Sequence, residues 1–275
     1  MTVMLGEPLD EAGFRVLTAK IARERGFACG SYKDRCLRRR IAVRMRAKGV
    51  HTYADYVTVL DTDAHEYERL LDVLTINVTR LFRNWDVYDM IGSAVVPELW
   101  SLPDERLDVW SAGCASGEEP CSLAALFHRH AEAVGELSRL QRVRILGTDI
   151  DRASLETARL ASFAETAFGD TPPALRARYF SSMPPHTLLP EARSLVSFEQ
   201  RDMLRDPAPD GCHLVSCRNV LIYFDRATQE TLFQRFHDAL RPGGLLVLGK
   251  VETLLGRART LFAPVAARER IFRRL

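Results

Sequence analysis

The chain has 275 residues, enough for one large domain or a medium domain with a small companion. With 47% hydrophobic and 27% charged residues it has the composition of a folded globular protein, and no apolar run approaches the roughly 18 residues needed to span a bilayer. The net charge of +2 is unevenly spread: residues 1–84 carry 15 Lys+Arg against 11 Asp+Glu, so the basic excess is local and bears on partners rather than on fold.

In chain order, residues 1–10 are acidic and lack the basic stretch and apolar core of a signal peptide, so a cytoplasmic protein is expected. Residues 11–25 have the helical period, with Gly26 and Gly30 as C-cap residues. Ser31 is placed to cap a second helix over about 32–48, closed by Gly49. On that helix Leu37, Ile41 and Met45 form one apolar stripe. Around it stand Lys33, Arg35, Arg38, Arg39, Arg40, Arg44, Arg46 and Lys48, opposed only by Asp34. Two more helices are expected over 52–60 and 64–74, so residues 1–75 read as a small all-helical domain.

From Leu107 the pattern changes to strand–helix alternation. Strands are predicted at 107–111, 143–148, 195–200, 213–217 and 245–249, with helices over 119–136, 153–163 and 227–240. Arg241-Pro-Gly-Gly244 reads as a sharp turn, and 262–273 as a final antiparallel pair. Repeated βα units predict an α/β fold, a doubly wound, mainly parallel sheet with helices on both faces. Residues 169–193 hold five prolines and interrupt that rhythm, as an insertion or long connection would. None of the six cysteines forms a Cys-x-x-Cys pair and no His-x-x-x-His lies nearby, so no metal site is expected and the thiols read as reduced packing residues.

The chemistry concentrates where the first strand ends. A strand, a glycine turn and a helix make a nucleotide-binding device, and a dinucleotide site would read G-x-G-x-x-G. Here the turn is Gly113-Cys-Ala-Ser-Gly117-Glu-Glu119. Two carboxylates would repel a phosphate and suit a ligand with a positive charge and no phosphate, as S-adenosylmethionine is. The bland alternative is an acidic first turn that complements the helix dipole. The second strand ends Gly147-Thr-Asp149, an acid placed to hold ribose hydroxyls or to cap the following helix. A nicotinamide enzyme would share that acid, but not the missing third glycine or the Glu118–Glu119 pair.

Four segments together resemble the CheR-type chemotaxis receptor methyltransferases: Leu74-Thr-Ile-Asn-Val-Thr-Arg-Leu-Phe-Arg83, Trp110-Ser-Ala-Gly-Cys-Ala-Ser-Gly-Glu-Glu-Pro120, Gly147-Thr-Asp-Ile-Asp151 and Cys217-Arg-Asn-Val-Leu-Ile-Tyr-Phe-Asp225. The resemblance runs over most of the chain. It implies a class I, Rossmann-like methyltransferase domain over 91–275, a linker helix over 76–90 that contributes to the cofactor site, and a short β-subdomain inserted at about 169–197. It also implies S-adenosyl-L-methionine as cofactor, S-adenosyl-L-homocysteine as product, and glutamate side chains of chemoreceptor helices as substrate. By motif, Asn77, Thr79 and Arg83 would close over the cofactor from the linker, beside Gly113. Glu118 would face its amino group, Asp149 its ribose, Asp202 and Met203 its adenine, and Asn219 and Val220 would line the pocket. Arg83 and Tyr223 would stand at the point of methyl transfer.

Three positions depart from the family pattern: Asn84 follows the linker arginine in place of an acid, Cys121 replaces a tyrosine, and Gly249-Lys-Val-Glu252 replaces Gly-His-Ser-Glu. The insert, matched over 179–198, lacks the Gly-rich loop of members that dock on a receptor's C-terminal peptide, so that docking is not expected.

A glutamate carboxylate is ionised at neutral pH and needs no general base, so catalysis reduces to alignment, desolvation and electrostatic positioning. Tyr223 is expected to orient the carboxylate, and Arg83 to order the cofactor and steer the anion. Arg35, Arg38, Arg39 and Arg46 are candidates for docking on a glutamate-rich receptor helix, the alternative being a solvated face. Nucleic acid is not expected as a partner, because no stacking aromatics interleave the arginines and no Asn/Asp-Pro-Pro-Tyr segment is present. Lys250 and Val251 motivate one further alternative, a non-catalytic signalling adaptor that keeps the cofactor pocket.

Overall fold

The structure, a computed structural model, describes residues 10–75 and 79–275. It divides into two compact units, one holding the described residues up to Thr75 together with Tyr223–Thr228, the other holding the rest. The sequence assigns Tyr223–Thr228 to the second domain, so their place in the helical unit is a difference that chain order conceals.

In the helical unit, α1 (Glu11–Arg25) starts where the Asp10 side chain accepts the Gly13 amide and stops where Gly26 turns left-handed. Gly30 does not cap it, but lies in a 3₁₀ turn, Cys29–Ser31. The second helix, α2 (Asp34–Ala47), begins later than expected and no side chain caps it. Ser31 is therefore not its cap; its carbonyl accepts the Asp225 amide at 3.0 Å, and Tyr32 stays extended to bridge antiparallel to Phe224. The Thr52 and Asp63 side chains cap α3 (Tyr53–Thr62) and α4 (Ala64–Leu74). Leu37, Ile41 and Met45 are buried in a core with Leu17, Ile21, Tyr56 and Leu70, as the apolar stripe predicts.

Inside that core sits a charge. Glu66 is 0% exposed, accepts two hydrogen bonds from Arg44 (Nε at 2.9 Å, Nη2 at 2.5 Å), and takes a third from the Tyr56 hydroxyl at 2.7 Å. Burial pushes the Glu66 carboxyl up, but the Arg44 and Tyr56 bonds outweigh it and hold it below the usual range.

The second unit opens with a turn at 79–84, followed by α5 (Trp85–Met90), a π-helical turn Ile91–Val95, and α6 (Val96–Ser101). The expected linker helix is thus helical only from Trp85, and residues 76–78 lie outside the described residues. The reason is that the turn's amides go elsewhere: Leu81 N–H donates to Ala167 O, Phe82 N–H to Ser122 Oγ, and Asn84 N–H to Asp170 Oδ2.

The chain then alternates through β1 (Leu107–Ala112), α7 (Glu118–Ala133), β2 (Val143–Asp149) and α8 (Arg152–Leu160). The insert follows, with β3 (Ser162–Phe163), α9 (Pro173–Tyr179), β4 (His186–Thr187) and α10 (Pro190–Arg193). The unit closes with β5 (Val196–Gln200), β6 (Cys212–Cys217), α11 (Arg226–Ala239), β7 (Leu240–Leu248), α12 (Ala258–Leu261), β8 (Phe262–Ala266) and β9 (Ile271–Arg274).

The main sheet has the order β5-β2-β1-β6-β7-β9-β8, parallel from β5 to β7 and antiparallel over β9 and β8. This is the doubly wound α/β architecture that the alternation predicts. Strand β6 is buried along its whole length, as a parallel strand covered on both faces must be. Successive strands are added to one side of β1 as far as β5 and then to its other side from β6, so the strand order switches between β1 and β6, and their carboxyl ends define the crevice where such folds bind ligands.

Two local expectations change. Arg241-Pro-Gly-Gly244 is not a turn ahead of a strand but part of β7, where the register shifts: Cys212 pairs with Leu240 and Leu214 with Leu245, with Gly243 left-handed at φ 76°. The inserted β-structure is smaller than 179–198. It consists of the short β3–β4 ladder and one bridge, Phe180 to Leu188, while Val196 and Phe198 pair with β2 in the main sheet. Hydrogen bonding of β5 to an existing edge outweighs any pairing within the insert.

Candidate cofactor site

At the end of β1 the Gly113 and Cys114 amides both donate to the Thr148 carbonyl, at 2.8 and 3.0 Å, which ties the turn to β2. Gly113 has φ 76°, and a Cβ there would lie 2.7 Å from Val220 Cγ2 and 3.3 Å from Met203 Cε. Glycine is required on both counts, and Gly113, Met203 and Val220 form one tight apolar corner. At Gly117 (φ 92°) a Cβ would meet that of Ala158 at 2.9 Å, so this glycine lets α7 approach α8.

The two glutamates at the start of α7 have different fates. Glu118 is 7% exposed and accepts a hydrogen bond from Ser116 Oγ at 2.8 Å; burial pushes its carboxyl above the usual range. Glu119 accepts from Ser111 Oγ at 2.9 Å and lies 3.9 Å from the Arg218 guanidinium; burial raises its carboxyl too, against the pull of Arg218. A solvated acid that merely complements the helix dipole would not carry such a desolvation cost.

Asp149 does not cap α8. That role belongs to Asp151, whose carboxylate accepts the Ala153 amide at 3.0 Å. Asp149 is 9% exposed, with Oδ2 accepting from Ala115 N–H at 2.8 Å and Oδ1 from Asp151 N–H at 3.0 Å. Each oxygen keeps a lone pair for a further donor. Burial raises this carboxyl as well, against those backbone bonds.

After β6, Asn219 adopts φ 62°, a conformation asparagine tolerates better than most residues. Its amide donates to Glu252 Oε2 at 3.0 Å, the same oxygen that takes the Gly249 amide at 2.6 Å. Asn219 Oδ1 is buried without a partner among the described residues. Glu252 is thus a residue that motif reasoning undervalued; the signal available in the sequence was an acid retained within an altered Gly249-Lys-Val-Glu252 segment. Lys250, the departure in that segment, forms an ion pair with Asp86.

The remaining predicted residues have the following surroundings. Asp202 Oδ1 accepts its own turn's Leu204 amide at 2.9 Å, and the next residue, Met203, reaches the Gly113 corner. Thr79 and Arg83 lie in the 79–84 turn rather than on a helix, and Asn77 lies outside the described residues. Tyr223 belongs to the helical unit, where its carbonyl accepts the Lys33 amide at 2.9 Å and its ring lies 5.3 Å from the Arg40 guanidinium. Arg35, Arg39 and Arg46 are exposed on α2. Arg38 is not available for docking in the same way: it is paired with Glu11 at 2.6 Å and packed over the Phe14 ring at 3.7 Å.

The arrangement fits S-adenosylmethionine. The buried Glu118 carboxylate has the charge for an ammonium group, and Asp149 the acceptors for a diol. Met203 and Val220 give the apolar corner for a flat ring, and Asn219 Oδ1 an acceptor still open to a donor. The acids leave no place for a pyrophosphate at the α7 N-terminus.

Comparisons with known proteins identify the family. Residues 77–271 match the family model described as CheR methyltransferase, SAM binding domain, and residues 12–75 that described as CheR methyltransferase, all-alpha domain. A chemotaxis protein methyltransferase of Listeria innocua is 32% identical over 249 residues, covering 90% of this chain and 92% of that protein. Chemotaxis protein methyltransferase 1 of Pseudomonas aeruginosa is 31% identical, over 88% of this chain and 90% of its own. An uncharacterized 104.1 kDa protein of Rhodobacter capsulatus is 35% identical over 272 residues, of which the chain spans only 28% of the length. With both family domains matched in order over nearly its whole length, the chain belongs to the CheR methyltransferase family, whose cofactor is S-adenosylmethionine.

Proposed function

We propose that this protein methylates glutamate side chains on the helical cytoplasmic region of a chemoreceptor-type protein, forming glutamyl methyl esters. The observation that carries the substrate class is the division of labour on α2. Arg38, Arg40, Arg44 and Lys48 are engaged within the helical unit, by Glu11, the Val73 carbonyl, Glu66 and Asp63. Arg35, Arg39 and Arg46, at helical spacing, line the opposite, exposed face with Val43. A basic line with one apolar contact suits an acidic helix.

When bound, S-adenosylmethionine supplies an electrophilic methyl group on a sulfonium. The chain's own residues bind and orient. Glu118 would hold the ammonium, Asp149 the ribose, and Asp202 and Met203 the adenine, with Asn219 and Val220 lining the pocket beside it and Asn77 and Thr79 closing the linker side. Arg83 orders the cofactor and draws in the carboxylate, and Tyr223 Oη donates a hydrogen bond that aligns it. The incoming carboxylate is already ionised, so no residue need remove a proton.

The test is incubation with methyl-labelled S-adenosylmethionine and membranes bearing candidate chemoreceptors. Base-labile label on the receptor is expected; cofactor binding without transfer to any acidic helix overturns the reading. Tyr223→Phe is expected to lower turnover while leaving S-adenosylhomocysteine affinity within about twofold, the loss of one oriented hydrogen bond.

A further inference from the structure

Resting on the proposed function, we infer that Arg218 is a positioning residue for Arg83, acting as a buried clamp on the backbone of the 79–84 turn. Arg218 directly follows β6, and its side chain is only 2% exposed. Buried arginines usually meet a carboxylate in a close two-pronged pair. This one does not. Its nearest carboxylate oxygen, on Glu119, is 3.9 Å away, whereas Nη2 donates to the Arg83 carbonyl at 2.7 Å and reaches Asn84 Oδ1 at 3.5 Å. The guanidinium also stacks over the Tyr88 ring at 4.9 Å, and its Nε has no partner among the described residues.

The strongest bond of a desolvated cation therefore goes to one peptide carbonyl, that of the residue assigned to order the cofactor. The rest of the turn explains why a clamp is needed there. Phe82 and Asn84 flank Arg83 with φ of 51° and 61°, left-handed conformations that non-glycine residues hold only when their surroundings impose them. Amide bonds to Ala167, Ser122 and Asp170 restrain three positions. Arg218 restrains the fourth, between the two strained residues. Glu119 keeps the buried guanidinium in charge balance, and Ser111 Oγ in turn holds Glu119. Thus the second glutamate of the acidic pair serves the turn while Glu118 serves the ligand.

Three variants test this: Arg218→Met, Arg218→Lys, and the charge-balanced double variant Arg218→Met with Glu119→Gln. Each is read by amide hydrogen exchange over 79–85, by calorimetric S-adenosylhomocysteine affinity, and by receptor methylation. The double variant is expected to melt near the wild type, because no unpaired buried charge remains. It should nonetheless exchange at least tenfold faster in the turn and lose about 10–100-fold in turnover, the scale of losing an orienting contact. Arg218→Lys should recover part of both losses. Recovery of wild-type exchange and turnover in the double variant would mean that Arg218 only neutralises Glu119, and would overturn the proposal. Unchanged exchange in Arg218→Met would do the same. The exchange readout needs no receptor, so a failure of the glutamate-methylation reading shows separately, as absence of methyl ester with the unaltered protein.

Discussion

Replacing Glu118 with glutamine should make the ligand-free protein more stable and the bound one weaker. The Glu118 side chain is almost wholly buried, and Ser116 Oγ, a neutral donor, faces it at 2.8 Å. An ionised carboxylate so placed is underpaid in solvation, which is why its proton is held above the usual range. The sign follows from the raised value. The folded chain binds this proton more tightly than the unfolded chain, so the group's contribution to stability is full below the ordinary carboxylate range and is lost as pH rises through the raised value. Glutamine has nothing to lose, so the variant's melting temperature should match the wild type near pH 4 and exceed it toward neutrality. Glu119, Asp149 and Glu252 are shifted in the same direction but are present in both proteins and cancel in the difference. With S-adenosylhomocysteine, which keeps the amino-acid ammonium, the order reverses. Loss of a charge-assisted hydrogen bond costs about 1.5–3 kcal/mol, or roughly 10–150-fold in Kd. Calorimetry and thermal melting across pH 4–8 measure both halves. A variant that binds as tightly as wild type, or that is no more stable without ligand at neutral pH, refutes the assignment of Glu118.

Other sites give independent outcomes. Gly113→Ala must hold a side chain at φ 76° and within 2.7 Å of Val220, so it should lose about 1–3 kcal/mol of stability and weaken S-adenosylhomocysteine binding by calorimetry. Glu66→Ala strips Arg44 and the Tyr56 hydroxyl of their buried partner and should cost about 3–5 kcal/mol in denaturant melts. Because the Glu66 carboxyl is held below the usual range, its stabilisation is present above ordinary carboxylate values and is lost as pH falls through the lowered one; the gap between wild type and variant should narrow in acid. Reversing Arg39 and Arg46 to glutamate should raise the KM for receptor about tenfold, an effect that added salt shrinks, with S-adenosylhomocysteine affinity unaltered.

What was legible in the sequence was whatever depends on local period and local chemistry. Leu37, Ile41 and Met45 announced the buried face of α2, and Thr52 its neighbour's start, because spacing and capping act within one or two turns. The parallel sheet followed from the alternation itself. The misreadings share a cause, competition from residues far away in the chain. Ser31 has the chemistry of a cap, but its backbone is bound to Asp225. The 79–84 segment looks continuous with the helix after it, yet its amides are taken by Ala167, Ser122 and Asp170, up to 86 positions on. Asp149 and Asp151 are equally good caps on paper; the register of β2 against the glycine turn gives the cap to Asp151 and turns Asp149 inward.

Glu118 and Glu119 carry that lesson into the chemistry. As sequence they are one feature, an acidic pair that argues against a phosphate without saying which carboxylate meets the ligand. Consecutive residues on a helix point about 100° apart, so one pair of neighbours can face two environments. Glu118 is turned to Ser116 in the glycine turn, and Glu119 to Ser111 and Arg218 beneath it. The two should therefore fail differently when neutralised singly. Glu118→Gln should weaken cofactor binding and raise the stability of the ligand-free protein toward neutral pH, whereas Glu119→Gln, which leaves the buried Arg218 short of its counter-charge, should lower stability and loosen the Arg83 turn with it. Equal effects of the two substitutions on S-adenosylhomocysteine binding and on melting would return the pair to what composition alone suggests, a single patch of negative charge at a helix start.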